Sequence, residues 1–533
     1  MHQTLTKSVT KVAIVGGGPT AVYTLKNLLQ KSGRYSVTIF EAGKVAGCGI
    51  PYSEEHNTPE MMANITSIEI PPVLVSLADW VRARDAKFLK RFGIDREAVG
   101  DRDFYPRILL GAYYVDQLRQ LMEAGSAAGH AITVETDTHV VDIEPVKDGT
   151  SVLTRSGEKT AHRRFDRVIL ATGHLTDFGK LKRPTRLYRS PYPTQNLTLD
   201  KDRAALILGS SLSGIDAVVA LASQHGTFIA EGTAFRYEPK GPSPIRLVMT
   251  SRKGIIPDAD FFYPIPEEPL LIFTPARLEA LQAEGKTGFL GRAMKLFKQQ
   301  LATDDPEFLA RLGLKRFTPE AFAKAYFEMR RDRQGFKAIA QNLRESERNY
   351  RERRTVMWRY TLMRAHEVFS EIVPYFDSKD LKTFRTHLTP VFADAYGCIP
   401  HKSIERLLAL HQAGCLDVIA LGDSGKIIYR AGAFELVGVE KEQSFRTLID
   451  ARGQVMVSLA DLGFERLDQA VDVEDFLKRS EGEAAEHQFR VPLRGQPKSD
   501  IFCLSIPIMM KRYPFAQGLV ACADAAKLVA DAI

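Results

Sequence analysis

The stretch Val12-Ala13-Ile14-Val15-Gly16-Gly17-Gly18-Pro19-Thr20-Ala21 decides how this 533-residue chain is read. Four apolar residues, a glycine run and an apolar-periodic segment to Gln30 spell strand, tight turn and helix. Gly16 makes the turn, and Gly18 lets the backbone approach a pyrophosphate. Ala21 stands where a third glycine often permits close packing of helix on strand. The helix opening at Pro19 and Thr20 aims backbone N–H groups at a bound phosphate. Val37 to Phe40 reads as the next strand and ends in Glu41, a carboxylate able to accept hydrogen bonds from ribose hydroxyls. A glycine turn with no ligand is the plain alternative. It is outweighed by strand, helix and acid all standing in place.

A second unit of the same kind lies far inside the chain: Ala205-Leu206-Ile207-Leu208-Gly209-Ser210-Ser211-Leu212-Ser213-Gly214. Here Ser211 replaces the middle glycine. The following strand, Ile245 to Thr250, ends in Ser251-Arg252-Lys253-Gly254 and not in an acid. A carboxylate there would repel a 2′-phosphate, whereas Arg252 and Lys253 would bind one by charge-assisted hydrogen bonds. That favours NADPH over NADH. The alternative, two solvated turn residues, stays open. Two fingerprints imply a chain that holds two nucleotides at once, as flavoenzymes that take hydride from a nicotinamide do.

Around these units, Ile132 to Val134, His139 to Ile143, Val152 to Thr154 and Arg167 to Ala171 read as strands, and Asp103 to Ala124 as a turn and a helix. Leu181 to Asp202 is rich in Pro, Tyr and Thr and reads as a linker; Ala230 to Pro244 reads as an inserted loop. From Thr274 to Gly414 the character changes. Leu278, Leu281, Leu290, Met294, Phe297, Leu301, Leu309 and Leu312 recur at helical spacing, which predicts a mostly helical insert. Strands return at Val418 to Leu421, Ile427 to Tyr429, Phe434 to Val437 and Phe445 to Asp450. An alanine-rich helix, Leu519 to Ile533, closes the chain.

Composition limits the function classes. With 44% hydrophobic and 26% charged residues, the chain is an ordinary globular one. Its formal charge of +7 suits anionic small molecules. No basic tail and no aromatic-basic alternation points to nucleic acid, and Arg344 to Arg354 mixes both signs like a solvated helix face. The five cysteines (Cys48, Cys398, Cys415, Cys503, Cys522) form no C-x-x-C pair, which argues against a redox disulfide or a zinc knuckle. With no apolar signal segment at the start and no apolar run long enough to span a bilayer, a cytoplasmic protein is expected. His56, His174, His366, His387 and His401 have no metal-ligand spacing, and there is no G-x-S-x-G elbow for hydrolysis. Tyr105, Tyr113 and Tyr114 read as packing, and Trp358 and His387 as core or surface.

The residues also match a known pattern. The first glycine turn, Gly47-Cys48-Gly49-Ile50-Pro51-Tyr52, Met62-Ala63-Asn64-Ile65, Phe104-Tyr105-Pro106-Arg107 with Gly111 and Tyr114, and Ala171-Thr172-Gly173-His174 are the pieces that match. Gly209 to Asp216, Ser251 to Gly254 with Pro257, and Gln517-Gly518-Leu519 extend the match. On these, the chain resembles the family of FAD-NAD(P)-binding proteins that includes a urate hydroxylase. That family is related to the N-hydroxylating and Baeyer–Villiger flavin monooxygenases. The resemblance is specific for the cofactors and poor for the substrate.

What the resemblance implies is an α/β fold with two Rossmann-like dinucleotide-binding domains, one for FAD and one for NAD(P)H, and a mostly helical insert. Residues 1–190 would begin the FAD domain and 191–273 would bind NAD(P)H. Residues 274–414 would form the insert, able to cover a substrate, and 415–533 would return to complete the FAD domain. Gly47, Gly49, Asn64 and Arg107 would lie near the flavin ring. Val141, Thr172 and Gly173 would contribute to the FAD site. The helix start at Gln517 and Gly518 would face the flavin pyrimidine with its positive dipole end; Asp524 would be a ribityl contact or merely a helix-surface residue. The NADPH set would be Gly209, Ser211, Leu212, Ser213, Gly214, Ser251, Arg252 and Lys253. The function implied is an NADPH-consuming monooxygenase that oxidises a small molecule with O2 through a flavin C4a-peroxide. Two alternatives stand beside it: a flavin reductase passing electrons to a partner or quinone, and a non-catalytic nucleotide sensor.

Overall fold

The computed structural model describes residues 9–174, 186–453, 458–472, 489–495, 499–510, 515 and 518–533. They divide into two compact units, one drawn from 1–59, 65–175 and 454–533, the other from 60–64 and 176–453.

In the first unit β1 (Thr10–Val15) lies parallel to β2 (Tyr35–Phe40), with Val12 opposite Val37 and Val15 opposite Phe40. β3 (Ala131–Glu135) pairs with β2, also in parallel. β4 (His139–Val146), β5 (Gly149–Ser156) and β6 (Lys159–Phe165) make a separate antiparallel sheet. β7 (Arg167–Leu170) then returns to the free side of β1. The apolar runs of β1 and β7 are buried on both faces, as central strands of a parallel sheet must be. The helices Pro19–Leu29 and Arg107–Ala127 belong to this unit.

The second unit repeats the plan. Its strands in chain order are β8 (Arg186–Tyr188), β9 (Ala204–Leu208), β10 (Gly226–Glu231), β11 (Ala234–Pro239), β12 (Arg246–Ser251), β13 (Leu416–Ala420), β14 (Lys426–Arg430), β15 (Ala433–Val437), β16 (Gln443–Phe445) and β17 (Thr447–Asp450). One parallel sheet runs β13-β12-β9-β17-β8. The last strand, β18 (Ile501–Cys503), closes the first sheet in the order β18-β7-β1-β2-β3. In each sheet the strand before the glycine turn is central: β1 lies between β2 and β7, and β9 lies between β12, which follows the separate β10–β11 hairpin, and β17, from much later in the chain.

That late strand corrects the expected division of the chain. Residues 415–453 do not return to the first unit: β13 pairs with β12, and β17 pairs with β9. The apolar stretch read as one strand, Phe445 to Asp450, is two, because Arg446 separates β16 in a small antiparallel sheet from β17 in the parallel one. The expected linker contains β8, an edge strand paired with β17; its residues 181–185 lie outside the described set. The expected loop Ala230 to Pro244 is largely the β10–β11 hairpin, which buries Tyr237 so that its hydroxyl donates to the Ala222 carbonyl at 2.9 Å. β6 escaped a hydrophobic reading because Lys159, His162, Arg163 and Arg164 are exposed or half-exposed along it.

Between β12 and β13 the chain is helical, from Pro275–Ala283 to His401–Gln412. Three of these helices start with the same device. Thr274, Asp305 and Thr318 each precede a proline, and each side chain accepts the backbone N–H three residues on. Leu278, Leu290, Met294, Phe297, Leu301 and Leu312 are buried as their spacing required, and Leu281 and Leu309 half-buried. Phe273, Phe297, Phe322, Phe369, Phe384 and Phe392 form one aromatic core. Trp358 is part of the packing, stacked on Phe308 at 4.6 Å.

Candidate functional site

In the first unit the turn after β1 is held from three directions. The Gly16 amide donates to the Phe40 carbonyl at 2.8 Å, so the turn begins where β2 ends. Gly16 has φ +102°, and a Cβ there would lie 2.3 Å from the Ala171 carbonyl oxygen at the end of β7. Only glycine fits that contact. The second glycine loop comes back onto the turn, with the Gly47 amide donating to the Gly17 carbonyl at 2.5 Å. The helix Pro19–Leu29 starts at Gly18 with no side-chain cap; Pro19 has no N–H and the Ala21 amide donates to the Gly18 carbonyl at 2.9 Å, so the Thr20 amide is the first-turn donor that could meet a ligand.

A second helix start stands beside it. Cys522 meets the Thr20 hydroxyl near one end of the helix Leu519–Asp531, and Lys31 caps its other end through the Ala530 and Asp531 carbonyls at 2.6 and 3.0 Å. These contacts make the two helices run in the same direction. The N-terminus at Gly18 and the one at Gly518, also without a side-chain cap, therefore lie at the same end. Two helix dipoles directed to one place favour an anionic ligand there.

Glu41 is half-exposed, and its carboxylate is already oriented: Gly17 N–H donates to Oε2 at 2.8 Å and Gly43 N–H to Oε1 at 2.6 Å. Each oxygen keeps a lone pair for a ribose hydroxyl. The buried Thr172 Oγ1 has no hydrogen-bond partner among the described residues, a vacancy in polar bookkeeping that a bound ligand would fill. The glycine cradle, the doubled helix N-terminus, the oriented acid and the unsatisfied hydroxyl all suit a dinucleotide. Val141 is the residue that the bulge in β4 leaves without a cross-strand partner. Gly173 follows Thr172 at the end of β7, and Gly47 and Gly49 lie in the loop against the turn. Arg107 begins its helix half-buried, close enough to Tyr52 to oppose the burial that pushes that phenol up to about 12. Asn64 is exposed and clusters with the second unit. Asp524 is exposed on its helix, Gly518 is exposed at the helix start, and Gln517 lies outside the described residues.

The five cysteines are buried and form no disulfide among the described residues, and burial pushes Cys48 up to about 11. Tyr113 and Tyr114 are fully buried, and Tyr114 shares a 3.0 Å hydrogen bond with Tyr23, so they pack as expected. Among the described residues no group of acids, histidines and cysteines could hold a metal ion, and no helix is long and apolar enough to cross a membrane.

In the second unit the same turn is built with different chemistry. Gly209 has φ +129°, and a Cβ there would lie 2.5 Å from the Ala451 carbonyl oxygen at the end of β17. Ser210 is buried and bonds Ser251 Oγ at 2.8 Å and the Ile255 carbonyl at 2.6 Å, tying the turn to the end of β12. Ser251 in turn accepts the Gly254 amide at 3.0 Å. Ser211 is exposed at the start of the helix Leu212–His225, and its side chain does not cap the first N–H groups. Leu212 and Ser213 are half-exposed, and Gly214 is buried.

The two cations after β12 part company. Arg252 is exposed. Lys253 turns away, with Nζ 3.3 Å from the centre of the Phe327 ring, and its pKa is lowered by burial against the pull of Asp394. The stretch after β12 is tied to the helical region by a buried ion network. Arg330 donates to Asp258 at 2.8 Å and to Asp394 at 2.7 Å, Arg359 also donates to Asp258, and the Tyr326 hydroxyl donates to Asp394 at 2.7 Å. Neither Ser210 nor this network was visible as a functional signal; a small polar residue directly after the turn glycine is the only trace that Ser210 leaves.

Residues 13–175 match the family model described as FAD-NAD(P)-binding, so the chain carries that domain, and residues 274–396 match the YdhS-like middle domain. The chain aligns over 98% of its length, at 37% identity, with 97% of the uncharacterized protein YdhS of Escherichia coli (strain K12). It shares its fold with an ornithine hydroxylase (PvdA) from Pseudomonas aeruginosa, covering 98% of each chain with a TM-score of 0.50 at 13% identity. With that extent and identity of match, the chain belongs to the family of Escherichia coli YdhS.

Proposed function

We propose that this chain is a FAD-dependent, NADPH-consuming monooxygenase that oxidises a small molecule with O2. The observation that carries the reading is the pair of phosphate turns with opposite flanks: an oriented acid, Glu41, beside the first, and an exposed cation, Arg252, beside the second. On this reading the two parallel sheets are Rossmann-like domains, the first for FAD and the second for NADPH, and the helical region is an insert in the second. The fold shared with an ornithine hydroxylase supports oxygenation.

A bound FAD would supply the chemistry of hydride acceptance from NADPH and of O2 activation. The chain's own part is to hold and orient. Gly18 and Thr20 present backbone N–H groups to the pyrophosphate, Gly16, Pro19 and Ala21 shape the turn and the helix start around it, and Glu41 accepts from the adenosine ribose. Thr172 gives its hydroxyl to the ligand. The helix start at Gly518 would favour negative charge on a bound flavin ring. Gly209, Ser211, Leu212, Ser213 and Gly214 form the second cradle, and Arg252 reads the 2′-phosphate. Asn64 and Arg107 are proposed as flavin neighbours.

Anaerobic mixing of the purified protein with NADPH, followed by measured oxygen, tests this. The expected result is a yellow protein whose flavin is bleached by NADPH, with oxygen consumed in step with a product that carries one added oxygen atom. Return of all the oxygen as peroxide across a broad panel of amines and aromatics would replace the reading with a reductase. Protein that neither carries nor takes up flavin would overturn it.

A further inference from the structure

Arg452 stands beside the second glycine turn where Thr172 stands beside the first. In the first unit the chain that crosses beside the turn glycine reads Ala171-Thr172-Gly173; in the second it reads Ala451-Arg452-Gly453. The correspondence is geometric. A Cβ on Gly16 would meet the Ala171 carbonyl oxygen at 2.3 Å and the Thr172 Cα at 3.2 Å. A Cβ on Gly209 would meet the Ala451 carbonyl oxygen at 2.5 Å and the Arg452 nitrogen at 3.2 Å. Where the first unit offers an unsatisfied hydroxyl, the second offers a guanidinium.

That guanidinium is held in place. Arg452 Nε donates to Asp450 Oδ1 at 2.9 Å and Nη2 to Oδ2 at 2.6 Å, while its backbone N–H also reaches Oδ1 at 3.2 Å. Asp450 itself is fixed in β17, opposite Leu208 of β9. The carboxylate is thus occupied by one edge of the planar fork, and Nη1 remains unengaged among the described residues. Arg452 is exposed. A guanidinium fixed along one edge loses less freedom on binding an anion at the other.

The sheet order says which anion. Ligands of open parallel sheets lie outside the carboxyl ends of the strands, at the point where the strand order reverses. In β13-β12-β9-β17-β8 that point is between β9 and β17. Arg252 ends β12, on one side of the turn glycine, and Arg452 follows β17, on the other. A dinucleotide whose pyrophosphate rests at the helix start beside Gly209 therefore extends one half toward each arginine.

We propose that Arg452 is a cofactor-binding residue that contacts the phosphate of the nicotinamide half of the dinucleotide, with Asp450 as its positioning residue. This rests on the second unit being the NADPH domain. Arg252 and Arg452 then divide the ligand between them: Arg252 distinguishes NADPH from NADH, and Arg452 serves both equally.

The test is equilibrium binding to the oxidised full-length protein, with NADP+, NAD+ and 2′,5′-ADP as probes, for the wild type, Arg452→Ala, Asp450→Asn and Arg252→Ala. Loss of one charge-assisted contact predicts that Arg452→Ala weakens NADP+ and NAD+ alike, by roughly ten- to a hundredfold. It should leave 2′,5′-ADP, which lacks that phosphate, within about twofold. Asp450→Asn keeps the acceptor but loses its charge, so it should weaken NADP+ by a smaller factor and again spare 2′,5′-ADP. Equal weakening of 2′,5′-ADP and NADP+ by Arg452→Ala would overturn the assignment to the nicotinamide half. No change in any affinity, with Arg252→Ala still selective against NADP+, would overturn a binding role for Arg452 while the domain reading survived. Wild-type protein that binds none of the three probes would instead remove the domain reading itself. Because Arg452 is exposed, an unchanged Tm is expected and separates lost contact from lost fold.

Discussion

The two glycine turns of this chain differ less in shape than in what surrounds them. Both follow a central buried strand, both have a glycine pressed against the carbonyl of a distant crossover strand, and both open a helix without a side-chain cap. The first is flanked by Glu41, whose carboxylate is locked by the Gly17 and Gly43 amides. The second has buried Ser210 bonded to the end of the next strand, and an exposed cation, Arg252, where the first has an acid. On the proposed function, the turn is a backbone device that either nucleotide could use, and side chains at the ends of the neighbouring strands would choose between them.

Breaking each turn separately gives the largest effect. Gly16→Ala would force a side chain into φ +102° and against the Ala171 carbonyl; Gly209→Ala would do the same at φ +129° against Ala451. Strain of this kind costs on the order of 1–3 kcal/mol before the overlap is counted. The expected outcome is a crossed pattern. Gly16→Ala abolishes flavin loading, read as the flavin-to-protein ratio, while Gly209→Ala keeps the flavin and loses NADP+ binding. Loss of both ligands in both variants would show that the units do not hold their ligands separately.

Next in size is the buried ion network, for which the first unit shows no counterpart among its described residues. Arg330→Met would leave Asp258 and Asp394 without their shared cation, at a cost of about 3–5 kcal/mol. Because these acids lie just beyond Arg252 and on the helical region, urea unfolding should show an early transition confined to the second unit. Flavin fluorescence should report the first unit melting later. A single coincident transition lowered by less than about 1 kcal/mol would mean that the network contributes little to holding the stretch after β12.

How much of this could be read in advance follows from range. Both turns, β1, β2, β9, β12 and the helical region were legible because their signals are local: an apolar run, a glycine at a fixed offset, a 3.6-residue period. Glu41 was legible because it ends the very next strand. The assignment of β13 and β17 was not, since 415–453 carries no local mark of which sheet it joins; only pairing with β12 and β9 decides that. Arg452 was hidden for the same reason, as it becomes a neighbour of Gly209 only through a strand that arrives more than two hundred residues later. Arg252 and Lys253 look equivalent in sequence, yet their backbone directions send one to solvent and the other onto an aromatic ring.

That last separation gives the two smaller predictions. Arg252→Ala should raise the Kd for NADPH by at least about tenfold while changing NADH by less than about twofold, the signature of a 2′-phosphate contact. Lys253→Ala should leave the ratio of the two affinities unchanged. Its ammonium is 3.3 Å from the Phe327 ring centre and half-buried, so what it supplies is a cation–π contact to the helical region. Such a contact is worth about 0.5–1 kcal/mol, which should appear as a small fall in Tm. Lys253→Met, which keeps much of the apolar stem, separates packing from charge: recovery of most of the lost stability would assign it to the stem rather than to the cation–π contact. A selective loss of NADPH affinity in Lys253→Met would instead mean that the ammonium leaves the ring when the nucleotide binds. The two flanks would then differ by two cations rather than one.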